Sequence, residues 1–187
     1  VDNKMFDPWF RKTFTLTESL KEALIYVASI GYHELYVNGC KIGNAVLAPS
    51  VTDHKSRARY VTYDISHYLK KGENVIALWL GTSWAVFPAY QRNDKPAIPM
   101  ALAQAEITLT SGSKVRVITD GSWKTHASPN VLMGYWDAHH FAGEFYDASL
   151  EINGWNEAGF DDSEWAEAKV YQPQIMVSAD KAESNLL

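Results

Sequence analysis

Short β-forming segments alternate with turn residues along most of this chain, and that rhythm restricts its possible folds more than any other feature. The segments read "FRKTFTL" (10–16), "EALIYVASI" (22–30), "HELYVNGCKIG" (33–43), "RYVTYDI" (59–65), "NVIALWLGT" (74–82), "MALAQAEITLT" (100–110), "KVRVITD" (114–120) and "SWKTH" (122–126). β-Branched and aromatic residues dominate them, and Lys71-Gly72-Glu73, Ser111-Gly112-Ser113 and Asp120-Gly121 punctuate them. Asn38-Gly39 between Val37 and Cys40 is the strongest hairpin signal, because a two-residue turn of matching twist needs positive φ at both positions. Helical signals are brief. "DISHYLKKGEN" offers Asp64 or Ser66 as a cap, with Ile65, Tyr68 and Leu69 as contacts and Gly72 as a stop. "DDSEWAEA" offers Asp161 or Ser163 as the cap of a single turn.

Many short strands and few helices predict an all-β fold, an antiparallel β-sandwich of jelly-roll type. Such folds keep their long loops at the ends, and two stretches are long and irregular: 83–99, "SWAVFPAYQRNDKPAIP", and 127–143, "ASPNVLMGYWDAHHFAG". The pattern places one domain at 1–177. The polar stretch 178–187 reads as a tail or as the start of a linker to a downstream domain.

Charge and composition exclude several function classes. The net charge is -5 with no Lys/Arg cluster, which argues against a nucleic-acid partner. No apolar run is long enough for a membrane span. "VDNKMFDPWF" lacks the basic start and apolar run of a signal peptide, and it lacks an initiator Met, so the compartment is not legible. Cys40 is the single cysteine, and no Cys/His spacing suggests zinc. The 24 aromatic residues (seven Trp, ten Tyr, seven Phe) suit either a bulky sandwich core or stacking against sugar rings.

A glycosidase needs two carboxylates across a cleft, one of them with a raised pKa. Asp161, Asp162 and Glu164 in "GFDDSEW" are too close in sequence to supply such a pair. They read instead as the cap of a short turn, with Phe160 and Trp165 as anchors. Glu144 and Asp147 in "GEFYDASLE" are the better-placed acids, either as a hydrolytic pair or as turn caps. Adjacent His139 and His140 would point to opposite faces of a strand and cannot share one metal there. The stretch 83–99 combines Trp84, Phe87 and Tyr90 as ring faces with Arg92, Asn93 and Asp94 as polar groups, the composition of a monosaccharide site or of a plug at an interface. Trp136 and Glu144, at and beside the second long stretch, complete the carbohydrate-binding candidates.

Together, "FRKTFTL", the run 28–81 containing "LAPSVTDH" and "TYDI", "ITDGSWKTH", "GEFYDASLE" and "GWNEAGFDDSEWAEAKV" resemble the N-terminal β-sandwich domain of bacterial α-L-rhamnosidases, over roughly Phe10 to Val170. The resemblance implies a galactose-binding-like jelly roll preceding an (α/α)6 catalytic barrel that carries the catalytic acids. The chain itself would then be a non-catalytic accessory domain. Its partner would be the catalytic domain of the same polypeptide, an inverting glycoside hydrolase of terminal α-L-rhamnosyl residues. Some relatives hold L-rhamnose through calcium, and Asn44 and Asn93 are the positions to test for that ion, though no cofactor is required. The alternatives are a free-standing calcium-dependent L-rhamnose-binding module and a jelly roll of another glycosidase, such as a β-galactosidase-like enzyme. The resemblance favours a periplasmic or secreted parent enzyme, with a cytoplasmic one also open.

Overall fold

The computed structural model of the chain describes residues 5–54, 56–82, 85, 98–133, 143–171 and 176–180. Twelve strands are found there: β1 (Met5–Leu16), β2 (Leu20–Ile30), β3 (Tyr32–Val37), β4 (Cys40–Ile42), β5 (Arg57–Asp64), β6 (Gly72–Gly81), β7 (Met100–Leu109), β8 (Lys114–Ile118), β9 (Lys124–Met133), β10 (Gly143–Tyr146), β11 (Ala166–Glu167) and β12 (Met176–Ala179). One sheet runs β10-β9-β1-β6-β3-β4, with β11 also on β9; the other runs β12-β5-β2-β7-β8. All pairings are antiparallel except β12 on β5, which is parallel. This is the expected all-β sandwich.

Alternation explains the core. Ala23, Ile25 and Val27 of β2 meet Leu35 and Val37 of β3, Ile76, Leu78 and Leu80 of β6, and Ala105 and Ile107 of β7 between the sheets. Each fully buried aliphatic side chain contributes about 1.5–3 kcal/mol. The chain passes between sheets at Gly31, where a Cβ would lie 2.2 Å from the Gly81 carbonyl oxygen and φ is +90°. Only glycine fits that crossing. The Asn38-Gly39 hairpin forms as expected, with φ of 49° and 82°. The Asn38 side chain accepts from the Val75 N–H and donates to the Tyr68 carbonyl and to Asn74 Oδ1, tying the hairpin to the turn before β6.

Two expectations are corrected. Residues 127–133 are strand rather than loop. Ser128-Pro129-Asn130 occupies the register shift between β1 and β9, where extra residues on one strand bulge and proline's missing N–H does no harm. The segment after Asp64 is a hydrogen-bonded turn rather than a helix: Asp64 accepts from the Ser66 N–H, and Tyr68 N–H reaches the Ile65 carbonyl. Four residues give one closing bond, too little to propagate a helix.

The unexpected feature is a second apolar layer on the outer face of the larger sheet. β10 and β11 both pair along the same edge of β9, and between them residues 147–165 leave that edge and cross the sheet. Trp155 stacks on Trp9 at 4.6 Å and 11°, Trp165 lies parallel to Trp9 at 6.3 Å, and Trp79 meets Trp9 edge-on at 5.8 Å. This cover explains why β6 is buried on both faces from Asn74 to Leu78. Arg11, wholly buried, holds the cover down. Its guanidinium donates to the Glu157 carbonyl (3.0 Å), the Phe160 carbonyl (3.2 Å) and the Asp162 carboxylate, and sits 5.1 Å from the Phe160 ring centroid. "GFDDSEW" is therefore a fastening: Asp161 accepts from the Ser163 N–H, Asp162 pairs with Arg11, and Trp165 anchors the return to β11.

Candidate functional site

Two described residues that precede the long segments share one buried acid as a bonding partner. Thr82 directly follows β6, and Asn130 lies on β9 three residues before its end at Met133. Between them, on β1, is Asp7, only 1% exposed. One carboxylate oxygen of Asp7 accepts from the Thr82 N–H (2.7 Å) and hydroxyl, and the other accepts from the Asn130 side-chain amide. Burial raises the Asp7 pKa above the usual carboxylate range, against the lowering effect of these bonds, and the nearby Glu144 charge adds to the rise. Through these bonds the Asp7 carboxylate ties Thr82, just after β6, to Asn130 on β9.

The sequence-derived candidates fall into two groups. Trp84, Phe87, Tyr90, Arg92, Asn93, Asp94, Trp136, His139 and His140 lie outside the described residues. Glu144 and Asn44 are described, and the fold does not bring them together. Glu144 is exposed on β10, one edge of the larger sheet, whereas Asn44 is exposed just beyond β4, the other edge. Five strand spacings separate these edges, roughly 24 Å, so one small ligand cannot bridge them. Asp147, the other acid of the proposed hydrolytic pair, caps the 3-10 turn 148–150, where its carboxylate accepts from the Ser149 hydroxyl (2.6 Å) and N–H (3.0 Å). Those bonds hold its pKa below the usual range, the opposite of what a general acid needs. Among the described residues no group of three or more His, Cys, Asp or Glu could hold a metal ion; of the two calcium candidates, Asn44 is exposed and Asn93 lies outside the described residues.

A shallow, open depression of about 450 Å³ lies along β9 between β10 and β11, lined by Pro8, Thr125, His126, Ala127, Glu164 and Ala166. The His126 ring leans on Trp165 at 5.0 Å, and its Nδ1 is 2.7 Å from the Ala127 carbonyl. One lining carboxylate cannot perform two-carboxylate glycoside chemistry. Asp7, Trp9 and Arg11 escape the sequence reading, which starts the first strand at Phe10. Their alternate spacing on β1 was the available signal, since it puts a carboxylate, an indole and a guanidinium on one face.

A family model described as the alpha-L-rhamnosidase N-terminal domain matches residues 18–185. An "Alpha-L-rhamnosidase" of Formosa agariphila is 30% identical over 174 residues, 89% of this chain and 18% of that protein. The solved alpha-L-rhamnosidase of Dictyoglumus thermophilum superposes with a TM-score of 0.81 and 34% identity, over 93% of this chain and 19% of that one. The Streptomyces avermitilis alpha-L-rhamnosidase, solved in complex with L-rhamnose, superposes with a TM-score of 0.80 and 27% identity, over 93% of this chain and 17% of that one. The chain thus spans less than a fifth of the length of each of these relatives.

Proposed function

Because this chain belongs to the alpha-L-rhamnosidase N-terminal domain family, we propose that it serves as the non-catalytic accessory sandwich of a polypeptide that hydrolyses terminal α-L-rhamnosyl residues with inversion. The observation that carries this reading is the employment of the acids. Asp147 and Asp161 cap turns, Asp162 neutralises Arg11, and Asp7 ties Thr82 to Asn130. The described sandwich holds its own structure with the carboxylates that a hydrolase would need. On this reading the acids that cut the sugar lie outside this chain, which covers 18% of the Formosa agariphila relative.

The test uses an aryl α-L-rhamnoside with the full-length polypeptide and with the 187-residue chain. Turnover by the full-length protein alone is expected, with the product anomer followed by NMR to establish inversion. Turnover by the 187-residue chain, abolished in Glu144→Gln, would overturn the reading. A secondary role in carbohydrate binding is supported by the ring faces and polar groups that the sequence gathers in 83–99. Calorimetric titration with L-rhamnose, with and without added calcium, tests it; absence of heat in both would leave the structural role alone.

A further inference from the structure

Val46 and Leu47 are 73% and 67% exposed, the two most exposed large apolar side chains among the described residues. They are not carried on a loose tip. Ala48 and Pro49 directly behind them are buried, and the Ala48 carbonyl accepts the His33 N–H at 2.8 Å. Leu47 itself holds φ at 59°, a left-handed backbone that a leucine adopts only when its surroundings impose it. A rigidly presented apolar pair loses little freedom on being covered.

The same loop holds Asp180, the residue that follows β12. Ser50 donates its N–H (2.7 Å) and hydroxyl (2.7 Å) to Asp180, and Arg59 reaches both Ser50 Oγ (2.5 Å) and Asp180 (3.2 Å). Asp180 follows β12, whose Met176 and Val177 are also exposed. From Ser50 to Leu47 the chain can reach at most about 11 Å. The apolar pair, the polar Ser50–Arg59–Asp180 rim and the end of β12 therefore form one corner.

We propose that this corner, centred on Val46 and Leu47, is the surface on which the downstream part of the same polypeptide docks. This rests on the accessory-domain reading above. The occupant follows from size and tether. A stable free partner needs on the order of 1,200 Å² of total buried surface, more than a patch of a few exposed side chains supplies. A segment that continues the chain beyond Asp180 needs far less, because its covalent tether keeps it at high effective concentration.

Hydrogen exchange on the full-length polypeptide, with the 187-residue chain as reference, tests the assignment. Amides of 45–50 are expected to exchange at least about tenfold slower in the full-length protein, and Val46→Ser combined with Leu47→Asn should abolish that difference. Asparagine accepts the left-handed backbone, so an unchanged melting temperature of the substituted 187-residue chain confirms folding. Protection appearing instead at the β10 edge around Phe145 and Leu150 would overturn the docking corner while leaving the accessory reading intact. No protection anywhere would overturn both. Concentration-dependent protection of 45–50 in the 187-residue chain alone would make the occupant a second copy and refute the proposal. Protection of 45–50 in a full-length protein without rhamnosidase activity would support the corner and sink the accessory-domain reading instead.

Discussion

Asp162→Asn should be among the most damaging isosteric changes in this chain, although residue 162 lies in a loop. The Arg11 side chain is wholly buried and the Asp162 side chain 24% exposed, so the substitution leaves a guanidinium out of water with carbonyl partners only. Removing one member of a buried pair costs about 3–5 kcal/mol, and the partial exposure of Asp162 places the expected loss near the lower end, about 3 kcal/mol. For a chain of this size that is a drop in melting temperature of roughly 6–12 °C. Arg11→Met should also destabilise, but its effect and that of Asp162→Asn should not add. With no buried charge left to strand, the double variant should be about 2 kcal/mol more stable than the sum of the single losses implies. Urea denaturation followed by tryptophan fluorescence reads this directly, since Trp155 and Trp165 belong to the loop and Trp9 lies beneath it. An Asp162→Asn variant within about 0.5 kcal/mol of the parent, with an unchanged near-UV spectrum, would show that the Arg11 pair does not fasten residues 147–165.

Acid sensitivity follows from His33, which is buried between Ser29 Oγ (2.9 Å) and the Tyr63 hydroxyl (3.0 Å) and whose pKa burial pulls down from 6.5 to about 4. The unfolded chain binds the proton first, so the His33 contribution is present in full above pH 6.5 and is lost as pH falls toward 4, by about 3 kcal/mol; denaturation at stepped pH should show this slope, and His33→Gln should flatten it. Gly31→Ala puts a methyl group against the Gly81 carbonyl, whereas Gly112→Ala, at a similar φ of 88°, meets nothing within 4 Å. The second should cost about 1 kcal/mol and the first on the order of 3 kcal/mol or more, and equal losses in urea would contradict the close approach. Asn38→Gly keeps the left-handed turn but loses three hydrogen bonds, leaving the Val75 N–H without its partner, so about 2 kcal/mol is expected; Asn38→Ala should cost about 1 kcal/mol more by chemical denaturation, because its backbone resists positive φ.

The candidate site shows how far a linear reading reaches. Glu144 and Asp147 are three residues apart and beside a long irregular stretch, which made them a plausible pair in sequence. Tertiary structure commits Asp147 to the Ser149 turn and leaves Glu144 at a sheet edge. Asp7 drew no attention, because an isolated acid before Pro8-Trp9 has nothing local to identify it. Its partners are 75 and 123 residues away. The stretch 127–143 differed in the opposite direction: its first seven residues are strand, because a bulge accommodates Pro129.

What the sequence determined by itself is whatever depends on nearest neighbours. Two-residue alternation set the strands, the left-handed tolerance of Asn38-Gly39 set the hairpin, and Asp161 was legible as a cap of its own turn. Only the tertiary structure decided which strand faces acquire a second cover. Trp155 and Trp165 lie 146 and 156 residues beyond Trp9, and Asp162 lies 151 beyond Arg11. No local pattern distinguishes a strand face that meets water from one roofed by a distant segment. Periodicity reports which residues share a face, while the chain's long-range path decides what that face touches.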